Sequence, residues 1–216
     1  MKTIVRERYL ERIKALKDTP DIKIITGIRR SGKSNLMQAY INYLKSEFED
    51  VNIIFIDYMD LEFEEIKEYH ALHKYVEDRY DKEKQNYLFV DEVQLCPNFE
   101  LAINSLYSKN KYDIYITGSN AFLLSADLAT LFTGRYIEIH MFPFSFKEYC
   151  EYYDKQGDKD KLFEEYFIKG GLAGSYAYNT DLDRTAYIKE VYETIVNRDL
   201  VQKYNLPDTQ VLRQLS

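Results

Sequence analysis

Apolar residues recur along this chain at two different periods, and the alternation between them predicts its elements. Residues 4–17 carry Val5, Tyr9, Ile13 and Leu16 near helical spacing, and Asp18-Thr19-Pro20 breaks the pattern. Ile22 to Thr26 is a short β-branched run bounded by Gly27, which predicts a buried strand. From Lys33 onward, Leu36, Met37, Tyr40, Ile41 and Leu44 share one helical face. VNIIFIDY at 51–58 predicts a second strand, and a charged helix follows over about 62–79 with Phe63, Ile66, Tyr69, Leu72 and Val76 inward. Tyr87 to Val90 predicts a third strand ending in Asp91-Glu92, and Pro97 fits the first turn of a helix running to Ser108. Tyr112 to Thr117 reads as a fourth strand closed by Gly118. A helical stretch over 121–132 ends at Gly134 as a cap, and Arg135 to Met141 makes a fifth strand.

Strands alternating with helices predict a parallel sheet covered on both faces. Beyond Pro143 the pattern is helical only, over 145–154, 159–168 and 183–202, interrupted by GDKD at 157–160 and by Gly170-Gly171. The expected division is an α/β core over 1–143 and a small helical lid region over 144–216, with no internal repeats. LPDTQVLRQLS begins a new helix around Thr209 and stops at Ser216 without a capping glycine, which predicts truncation before a further C-terminal domain.

Composition narrows the function classes. With 45% hydrophobic and 30% charged residues the chain reads as an ordinary folded protein. Its 29 basic and 36 acidic residues give a net charge of −7, so charge lends no support to a nucleic-acid partner. The 21 tyrosines read first as amphipathic packing residues. No apolar run is long enough to cross a bilayer, and MKTIVRERYLERIKALK lacks a signal peptide's apolar core, so the cytoplasm is expected and a membrane partner is not. Cys96 and Cys150 stand in neither metal nor redox spacing and read as reduced thiols.

The chemistry concentrates between 27 and 35. Gly27-Ile28-Arg29-Arg30-Ser31-Gly32-Lys33-Ser34 matches G-x-x-x-x-G-K-[ST] between a predicted strand and a predicted helix. Glycines let backbone N–H groups close around phosphates, and the helix start adds its positive end. Lys33 reaches the β- and γ-phosphates, Ser34 takes a place on Mg²⁺, and Asn35 completes the binding segment. Arg29 and Arg30 add either phosphate contacts or solvated loop charge. Tyr87-Leu88-Phe89-Val90-Asp91-Glu92 supplies the second half: Asp91 suits the metal, and Glu92 suits a base that polarises water. With one strand intervening, this Asp-Glu tip marks the motor and switch division of such ATPases rather than small-molecule kinases.

Ser119 and Asn120, at the tip of the fourth strand, either orient the attacking water or cap a turn. Arg135 is either an arginine finger completing a neighbouring subunit's site or an edge ion pair. Asp57 ends the second strand, beside the metal or simply closing the strand, and Tyr9 could cover an adenine. His70 and His73 lack the companion ligands that a zinc site needs.

ITGIRRSGKS, LFVDEVQ, ITGSNAFLLS and LFTGRYIEIHMFPFSFKEY, with GGLAGSY and IVNRDLVQKYNLPD further on, together resemble a family of bacterial and archaeal AAA-type ATPases over nearly the whole chain. The resemblance implies a P-loop NTPase three-layer αβα sandwich with a mostly parallel five-stranded sheet, followed by a small helical lid. It implies ATP binding by Gly32, Lys33 and Ser34, with Asp91 and Glu92 as metal and water residues. It also implies Ser119 or Asn120 as a γ-phosphate sensor, Arg135 as a finger, and Arg184 or Arg198 as a second sensor from the lid. Ala173 stands where members usually carry a proline after Gly-Gly and one further residue, a departure that bears on the local turn. The expected function is Mg-ATP hydrolysis driving a conformational switch. A nucleotide-binding module without turnover and a small-molecule kinase are the alternatives.

Overall fold

The structure, a computed structural model, describes residues 5–119 and 125–196. Their contacts divide into two compact units. One comprises 7–26, 33–119 and 125–140; the other comprises 5–6, 27–32 and 141–196.

The larger unit is built on a parallel sheet. β1 (Ile22–Gly27), β2 (Val51–Asp57), β3 (Gln85–Asp91), β4 (Tyr112–Thr117) and β5 (Tyr136–Met141) lie in the order β2-β3-β4-β1-β5. The register pairs Ile25 with Thr117 and Asp57 with Asp91, and Val90 opposes Ile116. β1 and β3 are buried almost throughout, as strands covered on both faces must be. On one face Ile24, Ile54, Ile56, Leu88, Val90, Ile114 and Ile116 pack with Leu72 and Val76 of α3 (Tyr69–Glu77). The same core takes Ile103 and Leu106 of α4 (Phe99–Ser108) and Phe132 of α5 (Ser125–Phe132). On the other face Tyr40 of α2 (Lys33–Glu47) packs on Phe89 and Tyr115, with ring centroids 6.1 and 5.1 Å away. α1 (Glu7–Lys14) contributes the buried Leu10 and Ile13.

Two boundaries differ from the sequence reading. The segment over 62–79 is split into a 3-10 turn (Leu61–Ile66) and α3, because Glu68 adopts extended backbone and caps the N–H groups of His70 and Ala71. Pro97 lies before α4, which starts at Phe99 after Asn98 takes a left-handed φ of 58°. α5 is described over Ser125–Phe132, and residues 121–124 of the predicted helix lie outside the described residues.

One charged pair is fully inside this unit. Lys23 Nζ donates to Asp113 Oδ1 at 2.5 Å and to the Thr19 carbonyl at 2.5 Å. Asp113 Oδ2 accepts from Tyr115 Oη at 2.8 Å and from the Asp18 N–H at 2.9 Å. Burial pushes the Asp113 carboxyl above its usual range, a rise that Lys23 only partly offsets.

In the smaller unit, α6 (Phe146–Tyr153) opens with a capping box between Ser145 and Glu148. α7 (Lys159–Lys169) follows, then a 3-10 turn (Ala173–Ala177) and α8 (Asp181–Thr194) capped by Thr180. Phe144, Tyr149, Tyr152 and Tyr176 form its aromatic core, so these tyrosines are packing residues as expected. Gly171 is required there, since a Cβ would stand 2.5 Å from the Phe144 carbonyl oxygen.

Asp113→Ala strands the Lys23 charge in the core, and unfolding in urea is expected to show a loss of about 3–5 kcal/mol. A loss below about 1 kcal/mol, the range of an exposed pair, would mean that Lys23 finds water or another partner.

Candidate functional site

The loop 27–32 belongs to the smaller unit. Gly27 has φ +146°, and a Cβ on it would meet the Met141 carbonyl oxygen at 2.4 Å, so no other residue fits. Arg30 (φ 65°) and Gly32 (φ 97°) are both left-handed, and the Ser31 N–H closes a turn on the Ile28 carbonyl at 3.2 Å. Backbone that turns this way gathers N–H groups into a concavity suited to an anion. The exposed Arg30 has its guanidinium 6.0 Å from the ring centroid of the half-buried Tyr187 on α8.

The chain continues directly into α2. Lys33 is its first residue and is buried, while Ser34 and Asn35 are exposed on the first turn. The unpaired N–H groups of a helix's first turn favour negative charge beside them.

Within the larger unit, β3 ends in Asp91, which is 3% exposed. Its Oδ1 accepts from the Thr117 hydroxyl and from the Glu92 N–H at 3.2 Å. A buried carboxylate at the tip of a strand is of the type that holds a divalent cation or its water shell. Thr117, at the end of β4, also accepts the Glu92 N–H at 3.0 Å. Glu92 itself has φ 52° and ψ 47°, a left-handed conformation that a non-glycine residue adopts at a cost of about 1–3 kcal/mol. That cost is borne by a residue whose backbone is anchored on Thr117 and whose carboxylate accepts from Gln94 Nε2. Asp57, paired with Asp91 across β2 and β3, has its carboxyl raised by burial and then by the neighbouring Asp91. A divalent cation suits this tip, where carboxylates from adjacent strands stand side by side.

Ser119 follows β4 with its hydroxyl buried and without a partner among the described residues. Asn120 and Arg198 lie outside the described residues. Arg135 is exposed and precedes β5; its carbonyl accepts the Ile22 N–H at 3.0 Å, and its guanidinium lies 5.8 Å from the Tyr107 ring centroid. In a parallel sheet this is the amino edge, about 20 Å along six-residue β1 from the edge that carries Asp91 and Thr117. Arg184 is committed to Asp181 Oδ1 and to the Tyr178 carbonyl at 3.0 Å. His73 Nε2 meets Ser105 Oγ at 3.1 Å, and no cluster of three or more metal-ligating residues occurs among the described residues.

Three residues escaped the sequence reading as parts of the site: Thr117, Gln94 and Arg6. Thr117 was legible only as the residue before Gly118. Gln94 carried a signal in the Asp-Glu-Val-Gln quartet. Arg6 carried none.

A glycine-rich loop leading into a helix, with an Asp-Glu tip on a strand one place removed in the sheet, defines a nucleotide-binding domain of the P-loop ATPase type. The AAA domain family matches residues 19–150, and this chain belongs to that family. An uncharacterised protein of Haemophilus influenzae is 34% identical over 217 residues, covering 98% of this chain and 54% of that protein. The chain thus spans about half the length of curated relatives it matches, with 46% for an uncharacterised protein of Methanocaldococcus jannaschii. Among solved structures, AMPPCP-bound DnaA from Aquifex aeolicus aligns with a TM-score of 0.50 at 16% identity, over 89% of this chain and 64% of that one. No helix among the described residues is long and apolar enough to cross a membrane.

Thr117→Val removes the hydroxyl that joins Asp91 to the Glu92 N–H, and denaturant unfolding is expected to register a loss of about 1–3 kcal/mol. Thr117→Ser retains the hydroxyl and is expected to recover most of it. Equal losses in the two variants would trace the effect to the γ-methyl group instead.

Proposed function

We propose that this domain binds Mg-ATP and hydrolyses it to ADP and phosphate, and that the difference between the two nucleotide states drives a rearrangement in the helical region. The observation that carries the reading is the β3 tip, where a buried Asp91 precedes a Glu92 held in strained backbone by Thr117 and Gln94. Backbone strain that persists at an acidic residue following a buried strand-end aspartate supports a positioned catalytic group.

In this reading the N–H groups of the loop and of the first turn of α2 receive the phosphates, and Lys33 neutralises their charge. The Ser34 hydroxyl and the Asp91 carboxylate would hold Mg²⁺, which supplies neutralisation of the phosphate oxygens when bound. Glu92 accepts the proton of an attacking water as general base, and Ser119 orients that water or the γ-phosphate through its uncommitted hydroxyl. Arg135, at the amino edge of its own sheet, serves only a neighbouring copy.

That placement also favours a second reading. A lone copy supplies no finger from Arg135 to its own strand tips, so it holds ATP without turnover until a neighbour completes the site. Activity of the full-length relatives and any partner they act on belong to the same set of proposals.

The deciding measurement is the ATP hydrolysis rate per subunit with Mg²⁺ over a wide range of protein concentration. Lys33→Ala is expected to abolish nucleotide binding or weaken it severely, and unchanged affinity would remove the site assignment. Glu92→Gln is expected to bind ATP normally and to lower turnover by about 100-fold or more, the scale of a general base; preserved turnover would place the base elsewhere. A rate per subunit that climbs with concentration in the native protein and stays flat in Arg135→Ala is the expected signature of a shared site. A rate independent of concentration in both would return Arg135 to an edge role.

A further inference from the structure

Arg6 is a buried cation, 7% exposed, in a stretch that reads as surface helix. Its Nε donates to Glu148 Oε1 at 2.6 Å, and Nη2 donates to Glu148 Oε2 at 2.9 Å and the Pro143 carbonyl at 3.4 Å. Nη1 donates to the Phe142 carbonyl at 2.7 Å and to the Ser31 carbonyl at 3.0 Å. The guanidinium carbon lies 5.1 Å from the Phe144 ring centroid. Glu148 Oε2 also accepts the Ser145 N–H and hydroxyl, each at 2.8 Å, so the carboxylate that holds Arg6 is the one that closes the capping box of α6. Arg6, Ser31, the strap over 142–145 and Glu148 all belong to the smaller unit.

The contact with Ser31 has a direct geometric effect. A trans peptide is planar, with its carbonyl and the next N–H pointing in opposite directions. Holding the Ser31 carbonyl against the guanidinium turns the Gly32 N–H away from it. Gly32 is the second glycine of the phosphate-loop motif, and it takes the left-handed φ of 97° that this peptide orientation accompanies. The Ser31 side chain gives no alternative anchor, since its hydroxyl is buried without a partner among the described residues.

Resting on the ATP-binding reading above, we propose that Arg6 is a positioning residue of the phosphate cradle. It fixes the Ser31–Gly32 peptide so that the Gly32 N–H is presented to the phosphates of a bound nucleotide, and through Glu148 it ties that setting to α6. The charge of Arg6 is matched by Glu148, so its role lies in a planar fork that spans a carboxylate and several carbonyls at once. A lysine keeps the charge and cannot make that span.

The test uses selective ¹⁵N-glycine labelling, which is tractable with eight glycines, together with calorimetric titration of ADP with Mg²⁺. In the native protein the Gly32 amide is expected to shift strongly on ADP addition. In Arg6→Lys that shift is expected to fall by at least half and ADP affinity to drop about tenfold, the loss of one well-placed donor. A native Gly32 amide that does not respond to ADP overturns the proposal, and this reading needs no variant, so it stands even if Arg6→Lys does not fold. A folded Arg6→Lys protein with native affinity and a native Gly32 shift overturns it as well. In both cases the ATP-binding reading survives if Lys33→Ala still loses nucleotide. Failure of the native protein to bind ADP or ATP at all removes the parent reading and this one together.

Discussion

Parallel strands all end on the same edge of their sheet, and the chemistry of this chain depends on which strands are neighbours there. The order β2-β3-β4 sets Asp57 beside Asp91 and places Thr117 one strand further on. β4 stands between β3 and β1, so the Thr117 hydroxyl can reach Asp91 while its own strand pairs with the one that runs into the glycine loop. Because side chains alternate across a buried strand, a slip of one residue would move Thr117 to the opposite face and separate it from Asp91. The buried Lys23–Asp113 pair, near the other end of β1 and β4, opposes the same slip, since moving either strand would leave a charge unpaired in the core.

Much of this was legible in the chain. Continuous β-branched runs announced buried strands, and the glycine-lysine-serine sequence after β1 announced the loop, because the motif's residue types follow from what a backbone must do to surround phosphate. The illegible parts are those where a local period says nothing. Glu68 breaks the charged helix because its carboxylate caps the next turn, which an apolar stripe running through Phe63, Tyr69 and Leu72 does not reveal. Thr117 is a common strand residue, and only its register with Asp91 makes it part of the site. Arg6 sits among the charged positions of an amphipathic stretch, and its partners are remote in sequence.

Glu92 shows how stability and chemistry compete at this edge. A left-handed glutamate is an unfavourable choice for a turn that glycine would make without strain. The fold retains it by giving its backbone N–H two acceptors and its carboxylate the Gln94 amide. Substitutions that relax the turn are therefore expected to stabilise the domain and, in the role proposed for Glu92, to cost it activity, the usual direction of trade between the two properties.

The Arg6 contacts also bear on the order in which the molecule is made. Arg6 and Glu148 are separated by 142 positions, and Arg6 and Ser31 by 25. A chain emerging from the ribosome exposes its glycine loop early, but the carboxylate that seats Arg6 arrives only after the whole sheet has been synthesised. Long-range closures of this kind come late in folding, since the loop entropy must be overcome before the contact returns anything. In the role proposed for Arg6, the loop's setting is thus completed only after the sheet that precedes Glu148 has been synthesised.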